Sequence, residues 1–502
     1  MKKVVGVITL LFLTSVFAIP ASAAEMRVLG FIDNIFPRFA GNNSSGDRDM
    51  TRNGDQETFG RNRARFFFNF IASDDLRGVF GLEIDNTFGA PSRNRIGARC
   101  VTGTGPFANE QCGFRNGIDV NNFELKHLYV DFRVPQLPIG NRWRLGGFPA
   151  DVTPLHPHLL YTMDAGGGSV SFTFTDQVSV LLHYVQLEED LDRFAGSAKI
   201  GEDYLTGATL MLKPLPALDL HIPFVYGHGQ APFGPSLLGG GGPFNGVTGD
   251  SINVTTEDRY YIGVDSRFRW GNTSIEPTFI YLFGSRDFVG GADTDYNAFE
   301  AQLVLSHTMG PWLLRLKGAY TSGNSAGDDI NNRGIGSRAD VKGFRPLGID
   351  GFHRFGEWFE IFGRSDVDAT GQAIGPVSGG EQGTFDRFGW MLVGANVEYK
   401  MTDALVLVGS AGGFWTPKVP RCPASVRAVV AGETVCTNAA VNFTGNSTYV
   451  GTEVDIGLRY TIMPGLTWTP LFGWAFLGDA YNTNERKAQD AWALVNRVIY
   501  TF

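Results

Sequence analysis

The chain has 502 residues, with 42 basic and 51 acidic side chains and a formal net charge of -9 at pH 7. This acidic balance argues against a nucleic-acid partner, because phosphate backbones are bound by clustered positive charge. Beyond the first residues no apolar run reaches the length of about eighteen that a membrane helix needs, so any spanning structure must be a closed barrel.

The chain starts with the pattern of a secretory signal peptide. The basic pair Lys2-Lys3 precedes the mostly apolar run Val4–Ala18 and the small-residue site Ala21-Ser22-Ala23. The run is short for a bilayer span, which disfavours a membrane anchor. We therefore predict cleavage of residues 1–23, export, and a single barrel domain over 24–502. The mature chain would keep 40 basic against 51 acidic residues, a net charge of -11.

The rest of the sequence repeats one pattern, in which two alternating segments joined by a short turn are followed by a longer polar loop. Alternation of apolar and polar residues indicates β-strands. In 59–72, the clearest case, Arg61, Arg63 and Arg65 share one face while phenylalanines occupy the other. A barrel can point such arginines into a wet lumen, whereas a soluble sandwich would have to expose them to solvent.

The pattern predicts an all-β fold, a transmembrane antiparallel β-barrel of about 18 strands, with 16 to 20 compatible with the segment boundaries. The predicted strands are 26–36, 59–72, 78–88, 123–134, 142–148, 168–175, 178–188, 204–213, 218–227, 259–270, 273–285, 297–307, 312–321, 385–400, 405–415, 449–462, 466–477 and 491–502. Short turns and long loops alternate between them. This asymmetry is typical of bacterial outer-membrane barrels, with periplasmic turns and extracellular loops.

The closing segment, AWALVNRVIYTF, has one apolar face and ends on an aromatic residue. It resembles the last strand of bacterial outer-membrane barrels, and the resemblance implies that Tyr500 and Phe502 form a signal for the barrel-assembly machinery. A globular β-protein that ends on Phe is the alternative. Outer-membrane lipid, lipopolysaccharide and small hydrophilic solutes are the other expected partners; the sequence leaves the oligomeric state open.

Aromatic residues near the predicted strand ends indicate the interfacial girdles of a membrane barrel, although in a soluble protein they would mark a core. They are Trp143, Phe148, Trp270, Trp312, Trp390, Trp415, Trp468, Trp474 and Trp492.

The four cysteines form two local pairs, Cys100 with Cys112 and Cys422 with Cys436, each within a loop. We predict two disulfides that staple these loops, as an oxidising compartment permits. A four-cysteine metal site is the alternative, but neither pair has the C-x-x-C spacing that such sites use.

No motif for catalysis, a metal or a cofactor is present. The eight histidines are scattered, and neither G-x-S-x-G nor H-E-x-x-H occurs, so we expect no enzymatic activity and no cofactor. His156 and His158 could bind a metal, but the intervening Pro157 favours a loop.

Three stretches resemble the alginate-export family of outer-membrane barrels: Lys126–Phe132 with Arg144-Leu145-Gly146, His353–Glu357, and Gly478–Tyr481. The resemblance implies a porin-like lumen lined by cations that passes a polyanionic sugar chain, with an extracellular loop over the pore. It places Lys126 and Arg354 among those cations. The chain departs from the family pattern at Thr469 and Leu471, where the family has an Arg-rich strand, and after Arg144.

The inward charges of the predicted strands are mostly cationic, which suggests a porin with a modest preference for anions. The candidates from alternation are Arg61, Arg63, Arg65, Arg133, Arg142, Arg144, Arg267, Arg269, Arg315, Lys317 and Arg459, with the acids Asp131, Asp265, Glu300, Glu453 and Asp455; the resemblance adds Lys126 and Arg354. The alternatives are an exporter of an anionic polysaccharide and a sleeve for an electron carrier. The aromatic loop 322–384 would either fold into the lumen, as a constriction or lid, or pack on the surface.

Overall fold

The fold is seen in a computed structural model of the chain. The residues that it describes are 25–41, 56–88, 122–151, 155–156, 160, 162–189, 202–229, 254–288, 293–325, 328, 340–344, 347, 357–363, 388–419, 427–430, 433–436, 447–482 and 487–502. The predicted signal peptide, Arg354 and three of the four cysteines lie outside these ranges. The signal peptide and both disulfides therefore stay predictions.

The described residues form twenty strands. Their bounds are β1 Glu25–Gly41, β2 Gln56–Ser73, β3 Leu76–Phe88, β4 Asn122–Phe132, β5 Gly140–Asp151, β6 Thr162–Thr175, β7 Val178–Glu189, β8 Glu202–Leu215, β9 Leu218–Gly229, β10 Val254–Trp270, β11 Thr273–Phe288, β12 Thr294–Met309, β13 Trp312–Thr321, β14 Met391–Lys400, β15 Leu405–Trp415, β16 Arg427–Val430, β17 Glu433–Cys436, β18 Tyr449–Met463, β19 Leu466–Leu477 and β20 Ala491–Thr501.

Eighteen of these strands form one closed antiparallel barrel. Each barrel strand pairs with the next along the chain, and β1 also pairs with β20, which closes the sheet. The remaining two, β16 and β17, make a small separate hairpin. The prediction of an 18-stranded antiparallel barrel is confirmed.

The outer surface of the barrel is apolar. Large hydrophobic side chains such as Trp270, Val393 and Ile456 are 75%, 62% and 66% exposed, while their neighbours along each strand point inward. Such exposure would be unfavourable in water, but it is what a barrel surrounded by lipid requires. Together with the closed sheet, which leaves no unpaired edge, it places the protein in the bacterial outer membrane. No helix among the described residues has the length and apolar character to cross a bilayer.

All eighteen predicted strands occur, but several extend further at the loop ends. β10 begins at Val254 rather than at Arg259. Backbone hydrogen bonds to the neighbouring strand continue before Arg259, although apolar and polar residues no longer alternate regularly in that part of β10. The β16–β17 hairpin was not predicted, since its four-residue strands are too short to show a period.

Two residues assigned to the aromatic girdles do not belong to them. Phe148 and Trp390 are buried inside the barrel, at 2% and 1% exposure. A tyrosine row instead runs along the outer surface near the loop ends, with ring centroids of neighbouring strands 4.8 to 5.9 Å apart. Its members are Tyr184, Tyr204, Tyr226, Tyr260 and Phe283.

Phe148 and Trp390 face inward because loop residues fill part of the barrel. Val341, Phe344, Phe359 and Phe362 belong to the long loop after β13 and pack against apolar residues of the inner wall. The sequence left two positions open for this loop, the lumen and the outer surface, and the described part of the loop lies in the lumen. The wall makes room with glycine: a Cβ at Gly412 would overlap the Phe359 ring.

Candidate functional site

The inner face of the barrel carries the charged residues, and strand alternation determines which ones point there. Every described candidate from the sequence lies on this face or beside a turn at its rim. Asp131, Asp265, Glu300 and Glu453 are fully buried, however, so they do not contact solute directly.

Asp33 on β1 forms the first group of charges, at the seam where the barrel closes. It accepts a hydrogen bond of 2.6 Å from Arg61 of β2 and two of 2.9 Å from Arg497 of β20. Asp33 and Arg61 are buried, while Arg497 is partly accessible. Three strands from the two ends of the barrel sequence are thus joined by one carboxylate.

Glu83 on β3 is the centre of the second group. Arg65 and Lys126 contact its carboxylate at 2.5 and 2.7 Å, and Arg63 lies 3.4 Å away. Lys126 also reaches Asp164 on β6, so its ammonium is shared between two acids. Arg63 and Arg65 keep a fifth to a quarter of their surface accessible to the lumen.

Asp131 on β4 forms the third group, with three arginines around one buried carboxylate. Arg77 contacts it at 2.9 Å, Arg144 at 3.1 Å, and Arg142 also binds it. Each arginine remains about one third exposed. One buried acid therefore fixes three guanidinium groups, and Arg142 also donates to the carbonyl of Asp74 in the β2–β3 turn.

The wall from β10 to β11 holds a loop residue between two carboxylates. His156, in the loop after β5, contacts Asp265 through Nδ1 and lies 2.6 Å from Glu276 through Nε2. Burial opposes protonation, but the hydrogen bonds to Asp265 and Glu276 outweigh it and raise the pKa of His156. Arg267 contacts Glu276 at 3.1 Å and donates to the carbonyl of Leu155. These contacts tie the loop after β5 to the wall at β10 and β11.

A further set of charges on β13, β14 and β18 supports the long loop. Arg315 and Arg459 both contact Glu398, the latter at 2.7 Å. Lys317 contacts Glu357 of the loop at 3.0 Å, and its ammonium lies 4.8 Å from the centre of the Trp358 ring.

Residues 357–363 form what we call the docked segment. Glu453 on β18 accepts hydrogen bonds from the backbone N–H groups of Ile361 and Phe362, at 2.6 and 2.7 Å. Both loop side chains are buried. The segment is therefore held through its main chain as well as through its rings.

Two predicted cations lie at the short-turn end of the barrel. Arg133 contacts Asp75 of the β2–β3 turn at 2.7 Å, and Arg269 contacts Asp219 at 2.6 Å. Both are about half exposed, so their charge acts at the mouth of the channel, near the periplasm.

Charged groups of both signs lie on both sides of the barrel. On the strands from β20 to β5, the three carboxylates Asp33, Glu83 and Asp131 are contacted by eight cationic side chains. β3 and β12 are nine strands apart in a barrel of eighteen and so face each other. The wall around β12 combines carboxylates with the cations Arg267, Arg315, Lys317 and Arg459; its carboxylates are Asp265, Glu276, Glu300, Glu398, Glu453 and Asp455.

Several functional residues were missed from sequence. Asp33, Glu83 and Arg497 occupy inward positions of predicted strands, so alternation alone could have found them. Arg77 precedes the predicted strand 78–88 and was missed because β3 begins earlier, at Leu76. His156 could not have been placed, because its partners lie more than a hundred residues away.

Phe502, which the sequence predicts to be part of the assembly signal, lies at the end of the seam between β1 and β20. Phe502 and Gly30 exchange two backbone hydrogen bonds, at 3.0 and 3.1 Å. The Phe502 ring lies 5.8 Å from Phe66 and 5.5 Å from Tyr500. Tyr500 is exposed on the outer face.

No family model matches the chain, and no curated protein matches it in sequence. Solved structures similar to it include Pseudomonas aeruginosa OccK10 (OpdN), with 10% identity over 95% of this chain and 99% of that chain and a TM-score of 0.47. The Pseudomonas aeruginosa outer membrane protein OpdK has 9% identity over 95% and 98% of the chains and a TM-score of 0.49. Pseudomonas aeruginosa OccD3 (OpdP) has 10% identity over 96% and 93% and a TM-score of 0.42.

Proposed function

We propose that the protein is an outer-membrane porin, a water-filled channel for passive diffusion of small hydrophilic solutes with a preference for anions. The observation that carries this proposal is the arginine-rich wall from β20 to β5. Arg63, Arg65 and Arg144 are held there by buried carboxylates while part of each guanidinium faces the lumen.

The preference for anions follows from the charges near the lumen rather than from the net charge of the chain. Although the chain is acidic overall, an ion in the lumen responds mainly to charges within about 10 Å, since salt screens more distant ones. Beside the arginine wall, a partly desolvated anion can accept hydrogen bonds from guanidinium donors that their acidic partners leave unused.

Reversal potentials in planar bilayers test the preference. With a salt gradient across the membrane, we expect anion selectivity that decreases in Arg63→Gln/Arg65→Gln. The matched control is Arg269→Gln, a cation at the channel mouth, which should change selectivity less. Clear cation selectivity of the native protein would contradict the anion preference, and absence of conductance would contradict the channel itself.

A dedicated exporter of an anionic polysaccharide is the second candidate. It is the function that the resemblance to the alginate-export family implies, with Lys126 as a cation of the pore. Oligouronates added to one side of the bilayer distinguish the two functions. A polysaccharide channel should be blocked more strongly by longer chains, whereas a porin for small solutes should respond mainly to the monomer.

A further inference from the structure

The loop after β5 leaves the wall and crosses part of the lumen to reach β10 and β11. β5 and β10 are five strands apart in the order of the barrel, while His156 lies only five positions after the end of β5 at Asp151. Asp265, which His156 contacts, is fully buried, whereas its neighbour Val264 is exposed on the outer surface. The contact is therefore made inside the barrel.

Leu160, further along this loop, joins it to the long loop after β13. Its carbonyl accepts a hydrogen bond of 2.7 Å from the backbone N–H of Leu347. Both side chains are completely buried and belong to the same internal core as Phe344 of the long loop. The position of the loop after β5 therefore affects both of the loops that occupy the lumen.

Both ring nitrogens of His156 face an acid. Nδ1 contacts Asp265, and Nε2 lies 2.6 Å from a Glu276 oxygen. Ionised carboxylates only accept hydrogen bonds, and a neutral imidazole has a single N–H, so it would leave one of these two pairs without a proton. The Thr278 hydroxyl, 3.2 Å from Nδ1, donates its one proton to Asp265 at 3.0 Å. The bound loop therefore holds a proton that can titrate, on the ring or on one of the two acids.

The strands packed around His156 carry further charges. They are Asp219 and His221 on β9, Asp265 and Arg267 on β10, Glu276 on β11 and Glu300 on β12. Arg267 contacts Glu276 at 3.1 Å and also donates to the carbonyl of Leu155. It is one fixed cation beside the two acids that His156 contacts, so a second positive charge balances them, and His156 supplies that charge when it is protonated.

We propose that His156 is a proton-dependent clasp that holds the loop after β5 across the lumen at acidic pH and releases it as the pH rises. After release His156 is in water, where its ring loses the proton near pH about 6.5. The bound loop therefore takes up one more proton than the released loop. The effect on solute passage rests on the proposed function, because it requires that solutes pass this loop.

The pH range follows from the direction of the shift. Burial opposes protonation, but the hydrogen bonds to Asp265 and Glu276 outweigh it and raise the pKa of His156 in the bound loop. Binding of the loop is therefore strongest below about pH 6.5. It weakens by up to about tenfold per pH unit as the pH rises from there to the raised pKa.

Hydrogen exchange measured by mass spectrometry follows the loop without reference to transport. The amide of His156 donates to Asp265 at 3.2 Å, and that of Leu347 donates to Leu160, so both report the bound loop. After correction for intrinsic exchange, we expect their protection to be constant from about pH 5 to about pH 6.5 and to fall above that value. His156→Gln should give low protection with no pH slope. The matched control is His221→Gln, on the same inner face, which should keep the fall.

Single-channel conductance in planar bilayers connects the clasp to solute passage. In the native protein it should rise over the same pH range, and in His156→Gln it should stay constant. If His156→Gln does not fold, Glu276→Gln removes one of the two acids and should reduce the total loss of protection.

Four outcomes would contradict these expectations. Protection that does not change with pH in the native protein, a fall that persists in His156→Gln, or a fall that disappears in His221→Gln would each overturn the clasp. A fall in protection with constant conductance would overturn its effect on passage. Absence of conductance at every pH would contradict the proposed channel, while hydrogen exchange would still decide on the clasp.

Discussion

Replacing Asp33 by Asn tests whether one carboxylate holds the barrel seam together. Arg61 is 1% exposed and Arg497 is partly buried, and both donate to Asp33. The variant removes the negative charge that both guanidinium groups contact. Breaking a buried ion pair by removing one partner costs about 3 to 5 kcal/mol. We expect a loss of this size in the free energy of unfolding.

Urea unfolding of the protein in detergent micelles, followed by far-UV circular dichroism, measures this loss. The matched control is Glu25→Gln, which removes an exposed partner of Arg27 on the same strand and should leave the midpoint unchanged. In the double variant Asp33→Asn/Arg61→Gln part of the stability should return, because the buried cation is removed as well. A midpoint for Asp33→Asn equal to that of Glu25→Gln would refute the assignment of the seam to this group.

Gly412→Val should displace Phe359 from the wall, because the new side chain overlaps its ring; we expect faster hydrogen exchange across the docked segment with barrel content unchanged by circular dichroism. Gly409→Val, on the same strand where the site is open, is the control. His156 lies in the loop after β5, and its pKa is raised in the folded protein. Its contribution to the free energy of unfolding is therefore complete below the unfolded pKa of about 6.5 and is lost as the pH rises through the folded pKa. Thermal unfolding across this range should show that loss, and His156→Gln should lack it. Glu83→Gln removes the acid that neutralises three cations, so reversal potentials should shift toward stronger anion selectivity.

The barrel could be predicted because the alternation of apolar and polar residues that produces it is a property of each short segment. Alternation in a segment such as β2 places three arginines on one face regardless of what the rest of the chain does. Sheet order then follows, because neighbouring strands of such a barrel are neighbours in sequence. The strand ends were less accurate, since alternation weakens where the ladder leaves the membrane.

The pairing of charges could not be predicted, because it depends on distant residues. Arg497 and Asp33 are 464 positions apart and meet only when the barrel closes. Phe148 and Trp390 were wrongly assigned to the girdles. Where a strand contacts lipid on one face and the inserted loop on the other, both faces are apolar, so alternation does not show which aromatic residues point inward. Loops rich in phenylalanine, together with apolar residues such as Leu282 on inward positions, are the signal that could have indicated the internal core.

The way Glu453 holds the docked segment leaves room for redesign. It binds main-chain N–H groups, which every residue except proline supplies, so these two bonds do not depend on the local side chains. Glu357 and Trp358 are partly accessible and do not contribute to that anchor. A library varied at Trp358, with Glu357 kept as the partner of the buried Lys317, therefore offers pores with new solute preferences while the Glu453 anchor stays unchanged.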